Sequence, residues 1–285
     1  MTDPEWLRYE REVHDEIAFK YPNARVTHDA HLPGALSGVM RQIDILIEEM
    51  VHGEVLVSAV DAKHYARPLD VTEVEGFIGL LHDIGADRGI MVCARGYTKT
   101  ALARAFRDDV DLDLEIVSLA DFKQWQAPGA IPYSGRNAVA LPAPLGWVVD
   151  GHRRPEALAY LYRRGLTWHQ AVVQREFMYV NIWDRADPVR TLEDLVAAQT
   201  NDIVTHHPDA SIAVSDRQLR DGARTWIRRA DVPSYPALEL TGFVEFGTGI
   251  FFAVLFTPAV VERRNLRKLE YLLRRVLPIT VRYEA

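Results

Sequence analysis

Arg41-Gln-Ile-Asp-Ile-Leu-Ile47, then a turn containing His52-Gly53, then Val55-Leu-Val-Ser-Ala-Val-Asp-Ala-Lys63, is the stretch that decides the fold. Ile43, Ile45 and Ile47 recur every second residue, the period of a strand. Val55 to Lys63 reads as a second strand, so the pair forms an antiparallel hairpin. With the turn at His52-Gly53, Val51 pairs with Glu54, and counting back sets Asp44 directly opposite Asp61. A different turn shifts this by a residue or two and leaves both acids at the same end of the strands. Asp61 and Lys63, two apart on one strand, leave the same face of the sheet.

The flanking sequence supplies the rest of a layer structure. Upstream, Pro4 to Lys20 places Trp6, Leu7, Val13 and Ile17 at helical spacing, and Arg25 to Leu32 reads as a short strand. Downstream, Thr72 to Gly85 reads as a helix with a capping-box pattern at Thr72 and Glu75. Its buried stripe is Val74, Phe77, Ile78 and Leu81. Gly89–Ala94 is a strand, Thr98–Phe106 a helix and Leu114–Leu119 a strand. A hairpin that continues into parallel crossovers implies an α/β fold, a mixed sheet flanked by helices.

Between Ala127 and Gly146 four prolines and three glycines interrupt the pattern. The expected division is therefore a first domain over 1–126, a linker over 127–146 and a second, α+β domain over 147–285. Helical patterns are read there at Arg154–Arg164, Thr167–Tyr179 and Thr191–Val204. Strands are read at Ser211–Val214 and within the aromatic run Gly242–Phe256. A closing amphipathic helix, Pro258 to Val276, precedes a last strand.

Composition bounds the function. The 285 residues are 48% hydrophobic and 26% charged, an ordinary globular balance that excludes disordered and fibrous classes. No apolar run approaches the roughly 20 residues needed to cross a bilayer, so no membrane partner is expected. The polar start of the chain lacks a secretory pattern, which predicts a cytoplasmic location. A lone cysteine, Cys93, excludes a disulfide framework and a cysteine-based zinc site. Residues 1–150 hold 14 Lys+Arg against 24 Asp+Glu, a net of −10, and residues 151–285 hold 19 against 16, a net of +3. An acidic half joined to a mildly basic one permits a polyanionic partner. Of 33 basic residues only Lys20, Lys63, Lys99, Lys123 and Lys268 are lysines, so each invites the question of why arginine would not do.

Asp44, Asp61 and Lys63 are where such a choice matters. Two carboxylates facing each other in a sheet repel and lose hydration, and a cation offsets the cost. Lys63 supplies one charge, and a divalent metal supplies more. Carboxylates with water and a phosphate oxygen form a magnesium site. A compact ammonium reaches the attacking water or the phosphate in a way a guanidinium does not. Spacing alone leaves a second reading open, an internal salt bridge from Asp61 or Asp44 to Lys63 that holds the sheet.

Taken as an ordered set, Arg41-Gln-Ile-Asp-Ile-Leu-Ile47, Val60-Asp-Ala-Lys-His-Tyr65, Val74-Glu-Gly-Phe77, Gly89-Ile-Met-Val-Cys93 and Gly96-Tyr-Thr98 with Ala101 resemble the catalytic domain of Mrr-like restriction endonucleases. These belong to the PD-(D/E)xK nuclease superfamily, and the resemblance covers roughly residues 1–125. It implies a restriction-endonuclease-like fold and a magnesium-dependent endonuclease that cuts DNA phosphodiesters in restriction or antiviral defence, with manganese as a possible substitute ion. It assigns Asp44 as the first metal-binding acid, Asp61 as the second and Lys63 as the catalytic lysine. Glu10 is the best counterpart of a further acid on the first helix, with Glu12 and Glu16 as competitors.

Substrate contacts are assigned to Arg67 and Lys99, and to Arg263, Arg264, Arg267 and Lys268 on the closing helix. Val260, Leu266, Leu269, Leu273 and Val276 of that helix are expected to face inward, leaving a basic outer face for a phosphate backbone. Competing functions are a non-cutting nucleic-acid-binding or scaffold protein on the same fold, and a repair-type or RNA-directed nuclease. Cutting both strands of a duplex needs two active sites or two sequential nicks, which makes a homodimer an expectation too.

Overall fold

The computed structural model describes residues 3–51, 54–107, 112–123, 129–152, 154–185, 188–247 and 249–280. The turn at His52-Gly53 lies outside them. The chain divides into two compact units, Met1–Trp125 and Gln126–Ala285.

The first unit runs α1 (Glu5–Lys20), β1 (Arg25–Pro33), β2 (Met40–Val51), β3 (Glu54–Lys63), α2 (Val71–Ile84), β4 (Arg88–Cys93), α3 (Lys99–Ala105), β5 (Asp113–Ser118) and the short α4 (Leu119–Phe122). The five strands lie in the order β1-β2-β3-β4-β5. The first two pairings are antiparallel and the last two parallel, the mixed α/β sheet expected from the sequence. Alternation sorts its two faces. Ala59 and Met91 join Phe77, Ile78 and Leu81 of α2 and Ala101 and Ala105 of α3 in one apolar cluster. Val60, Ile90 and Val92, fully buried, point to the other face, where the Tyr9 ring of α1 meets His64. Gly89 sits under α2 because a Cβ there would lie 2.4 Å from a Leu81 methyl.

Helix α2 starts one residue earlier than the sequence pattern suggested. Asp70 is its cap, accepting from the Thr72 N–H at 2.8 Å, while the Asp70 N–H donates to Glu73 at 2.9 Å. Glu75, read as half of the cap, pairs instead with Arg104 of α3.

The second unit comprises β6 (Gly129–Ser134), β7 (Asn137–Leu141), β8 (Trp147–Asp150), β9 (Ala159–Arg163), α5 (Trp168–Gln174), β10 (Phe177–Trp183), α6 (Leu192–His206), β11 (Ser211–Asp216), β12 (Thr225–Asp231), β13 (Leu238–Phe246), β14 (Gly249–Thr257), α7 (Glu262–Arg275) and β15 (Leu277–Thr280). Seven strands form an antiparallel sheet, β11-β12-β13-β14-β10-β9-β8, and β15-β7-β6 form a smaller one. Helix α7 packs on β13 and β14, and Gly242 allows the approach: a Cβ there would lie 2.5 Å from a Leu273 methyl. Helix α6 covers the opposite face through Leu192, Leu195 and Val196.

Three expectations change here. Residues 129–141, placed in a linker by their prolines and glycines, form the hairpin β6–β7, and Val139 and Leu141 enter the core of the second unit. The supposed helix Arg154–Arg164 holds the strand β9, because Ala159, Tyr160 and Leu161 are all buried and show no two-residue alternation. The aromatic run Gly242–Phe256 is covered by two paired strands, β13 and β14, with Phe251 fully buried.

Candidate active site

The hairpin register runs from Val51↔Glu54 to Ile45↔Val60, and Asp44 and Asp61 are the next residues along the two strands. Asp44 therefore sits where β3 begins to part from β2, and its Oδ2 accepts the Ala62 N–H at 2.8 Å. On the other side, β1 pairs His28 with Ile45 and Ala30 with Ile43, which brackets Asp29 opposite Asp44. Asp29 holds a left-handed backbone, φ 51°, and its carboxylate accepts from Gln42 Nε2 at 2.7 Å. Helix α1 adds Glu10, which lies on its buried stripe with Tyr9, Val13 and Ile17.

Two acids, Asp61 and Asp44, thus act on the Lys63 ammonium, and Glu10 lies within electrostatic reach of Asp44 and Asp29. Lys63 Nζ stands 2.5 Å from Asp61 Oδ1, and Asp61 also shares a hydrogen bond with Asp44. Burial pushes the Asp61 carboxyl up to about 7; Lys63 opposes the shift and the charge of Asp44 adds to it. Glu10 is raised as well, first by burial and then by the charge of Asp44, against the pull of His28, whose Nε2 lies 2.8 Å from Glu10 Oε1. For Lys63, burial works against the charged form, but Asp61 and then Asp44 outweigh it, so its affinity for a proton rises. Lys63 is an ammonium at neutral pH, not a base. Cys93, level with Lys63 on β4, is an unreactive thiol pushed up to about 12 by burial and the charge of Asp61.

The donor chemistry fits a hard divalent cation. The acids offer oxygen alone, and the raised Asp61 carboxyl reflects burial first, which Lys63 opposes without cancelling. Among the described residues no three His, Cys, Asp or Glu side chains form a ready-made cage. A carboxylate pair completed by water and phosphate oxygens is the arrangement magnesium ordinarily takes.

Asp44, Asp61, Lys63 and Glu10 are therefore brought together. Arg67 falls on the loop after β3 and Lys99 opens α3 after β4; the bridge Leu69↔Tyr97 ties the two connections side by side at the Lys63 end of the parallel strands. Both are exposed; Arg67 is engaged with Glu73 and Asp70. The four basic residues of α7 belong to the other unit, and two of them contradict the basic outer face. Arg264 and Lys268 are each 4% exposed and share the inward face with Asn265, Leu269 and Leu272. Their i, i+4 spacing turns them toward the sheet, where Glu176 binds Arg264. Arg263 is exposed and Arg267 half-buried, whereas Val260, expected inside, is 79% exposed. A cavity of about 330 Å³ in the second unit, bordered by His206, His207, Tyr235, Glu239 and Phe256, contains none of the assigned residues.

Sequence reasoning missed His28 and Asp29. Once the register was counted, their places opposite Ile45 and Asp44 were the available signal.

Residues 36–125 match the restriction endonuclease family model, the Mrr catalytic domain. The N-terminal unit thus carries a domain of restriction-endonuclease type, and the match includes Asp44, Asp61 and Lys63. Glu10, His28 and Asp29 precede it. No curated protein matches the chain. Among solved structures, that of cyanobacterial PsbP (CyanoP) from Synechocystis sp. PCC 6803 is similar over 52% of this chain and 92% of its own, at 15% identity and a TM-score of 0.33, a likeness too slight to bear on fold or function. No helix among the described residues is long and apolar enough to cross a membrane.

Proposed function

We propose that the chain is a metal-dependent endonuclease that hydrolyses DNA phosphodiesters, of restriction or defence type. The observation that carries this reading is the meeting of Asp44, Asp61 and Lys63 at one sheet end inside the matched residues. Asp44 and Asp61, with Glu10 beside them, would hold magnesium or manganese, which when bound polarises the phosphate and activates water for in-line attack. Lys63, protonated, faces the same position and stabilises charge that develops on the phosphate oxygens. Arg67 and Lys99 stand at that end to meet neighbouring phosphates. A purely structural Asp61–Lys63 pair is the weaker reading, because it leaves the second carboxylate, Asp44, set against the buried Asp61 without a role.

The test is incubation of methylated and unmethylated plasmid with the full chain in magnesium, manganese or chelator. Metal-dependent cleavage that disappears in a folded Lys63→Ala protein supports the reading. DNA binding with no cleavage under any divalent ion overturns it in favour of a non-cutting binding protein.

A further inference from the structure

The cavity of about 330 Å³ in the second unit has no part in the reading above, and its walls share one electrostatic character. Its floor is a single cross-strand row: Ala230 of β12 pairs with Glu239 of β13, and Glu239 with Phe256 of β14. The last turn of α6, with Asp202, Ile203 and His206, forms another wall, and Tyr235 adds a ring from the connection between β12 and β13. Two arginines prepare this surface without lining it. Arg228, 2% exposed, donates to Glu239 Oε1 at 2.6 Å, and Thr241 Oγ1 donates to the same oxygen at 2.9 Å. Oε1 is thereby tied to the scaffold, and Oε2 is left as the open acceptor of a carboxylate held in place. Arg175 stacks on the Tyr235 ring at 4.5 Å and donates to its hydroxyl at 2.6 Å, which fixes that ring. Tyr235 and Phe256 meet edge to face, with centroids 5.7 Å apart and planes at 63°.

Three contributions point the same way. The lining carries the carboxylates of Glu239 and Asp202, and among the described residues that border the cavity there is no lysine or arginine. The C-terminal turn of α6, a 15-residue helix, brings the negative end of the helix dipole, which favours a cation close by. Aromatic faces attract a cation through their quadrupole. All three disfavour a phosphate or carboxylate ligand. Ile203, Ala230, Val232 and Ala237 give the remaining wall an apolar character. The volume lies at the small end of ligand pockets, which limits the occupant to a compact molecule. We propose that this cavity binds a small organic cation, a protonated amine on an apolar or aromatic body, with its ammonium at Glu239 Oε2 and its body against Phe256 and Tyr235. The site lies within the second unit and does not depend on the nuclease reading.

The experiment is a ligand-observed NMR titration of the full chain with benzylammonium, beside benzyl alcohol and benzoate, which keep the ring and change the charge. Benzylammonium is expected to bind in the millimolar range that a ligand of its size reaches, about tenfold tighter than either of the others. Ile203→Trp fills the cavity from α6 without altering a charge and is expected to abolish binding. Asp202→Lys, at a side chain 76% exposed, is expected to weaken benzylammonium by up to about fivefold and to leave benzoate no weaker. Glu239→Gln is expected to cost about tenfold; if the loss of the Arg228 counterion unfolds it, Phe256→Leu replaces it, since it removes the aromatic face and keeps an apolar side chain. Benzoate or benzyl alcohol bound as tightly, binding unchanged in Ile203→Trp, or no saturable binding of benzylammonium overturns the proposal. Each of those results leaves the plasmid test of Lys63 unaffected.

Discussion

The acidic end of the five-stranded sheet and the buried network along α7 both place charges away from water, and they treat those charges in opposite ways. In the first, Asp44 and Asp61 face the ammonium of Lys63, with Glu10 near Asp44, and burial together with the charge of Asp44 raises Glu10 and Asp61. In the second, Glu176 binds Arg264 and accepts from Asn265 at 3.1 Å, and Asn265 donates to Thr257 at 2.9 Å. Nearby, Arg228 donates to Glu239 at 2.6 Å and to Thr241 at 3.1 Å. Matched charges hold a fold together. Crowded like charges cost stability, and perturbed acids of that kind concentrate where a ligand or reaction needs them. The difference separates a site from a scaffold.

The largest effect should come from breaking the crowded cluster. Asp44→Ala and Lys63→Ala are each expected to lower plasmid cleavage by about a thousandfold, on the order of losing one preorganised electrostatic contact. Asp44→Ala should at the same time leave the melting temperature unchanged or raise it, because it removes a repulsion from Asp61. A large drop in stability alongside the lost cleavage would place Asp44 among the scaffold charges instead.

The matched network should respond in reverse. Glu176→Gln leaves the Arg264 charge buried without its counterion, and denaturant unfolding should report a loss of about 3–5 kcal/mol for the second unit. Replacing both partners by apolar residues of similar volume should recover most of that. Equal losses in the single and double replacements would show that packing, not charge matching, carries the effect.

How much of this was legible in the sequence follows the same division. The Asp44–Asp61 register could be counted because an alternating strand pair and a short turn are local signals. The approach of Glu10 could be guessed only by resemblance; the register places His28 opposite Ile45, but its meeting with Glu10 depends on α1 docking against β1 and could not be read. The buried face of α7 was misread because Arg264 and Lys268 look like surface residues until Glu176, 88 positions away, is known to meet Arg264. Prolines at 132 and 142 suggested a linker. Yet Pro132 lies in β6, a strand at the edge of its three-stranded sheet where a missing N–H is tolerated.

The pH response sharpens the comparison further. In the metal-free protein Asp61 is pushed up to about 7, above its ordinary value of about 3.9 in an unfolded chain. The folded state therefore holds that proton more tightly than the unfolded state. The resulting stabilisation is complete below about pH 4 and is lost as pH rises through about 7. Melting temperature measured in chelator should fall between pH 5 and 8, and Asp61→Asn should flatten the slope. Saturating manganese should oppose the fall, since it favours the ionised carboxylates. A wild-type slope that survives in Asp61→Asn would assign the response to another group.

The smallest effect tests whether matching matters without burial. Arg224 and Glu193 form a close ion pair on the second unit, but their side chains are 49% and 51% exposed. Water and salt screen such a pair, and fixing two long side chains costs entropy, so exposed pairs are worth less than about 1 kcal/mol. Glu193→Gln should therefore change unfolding by under about 1 kcal/mol, and roughly 0.5 M salt should remove what difference remains. The Glu176–Arg264 pair, 7% and 5% exposed, should keep most of its contribution in the same salt. If the two pairs proved equally salt-sensitive, solvent would reach the α7 network, and a balanced charge would no longer distinguish scaffold from site.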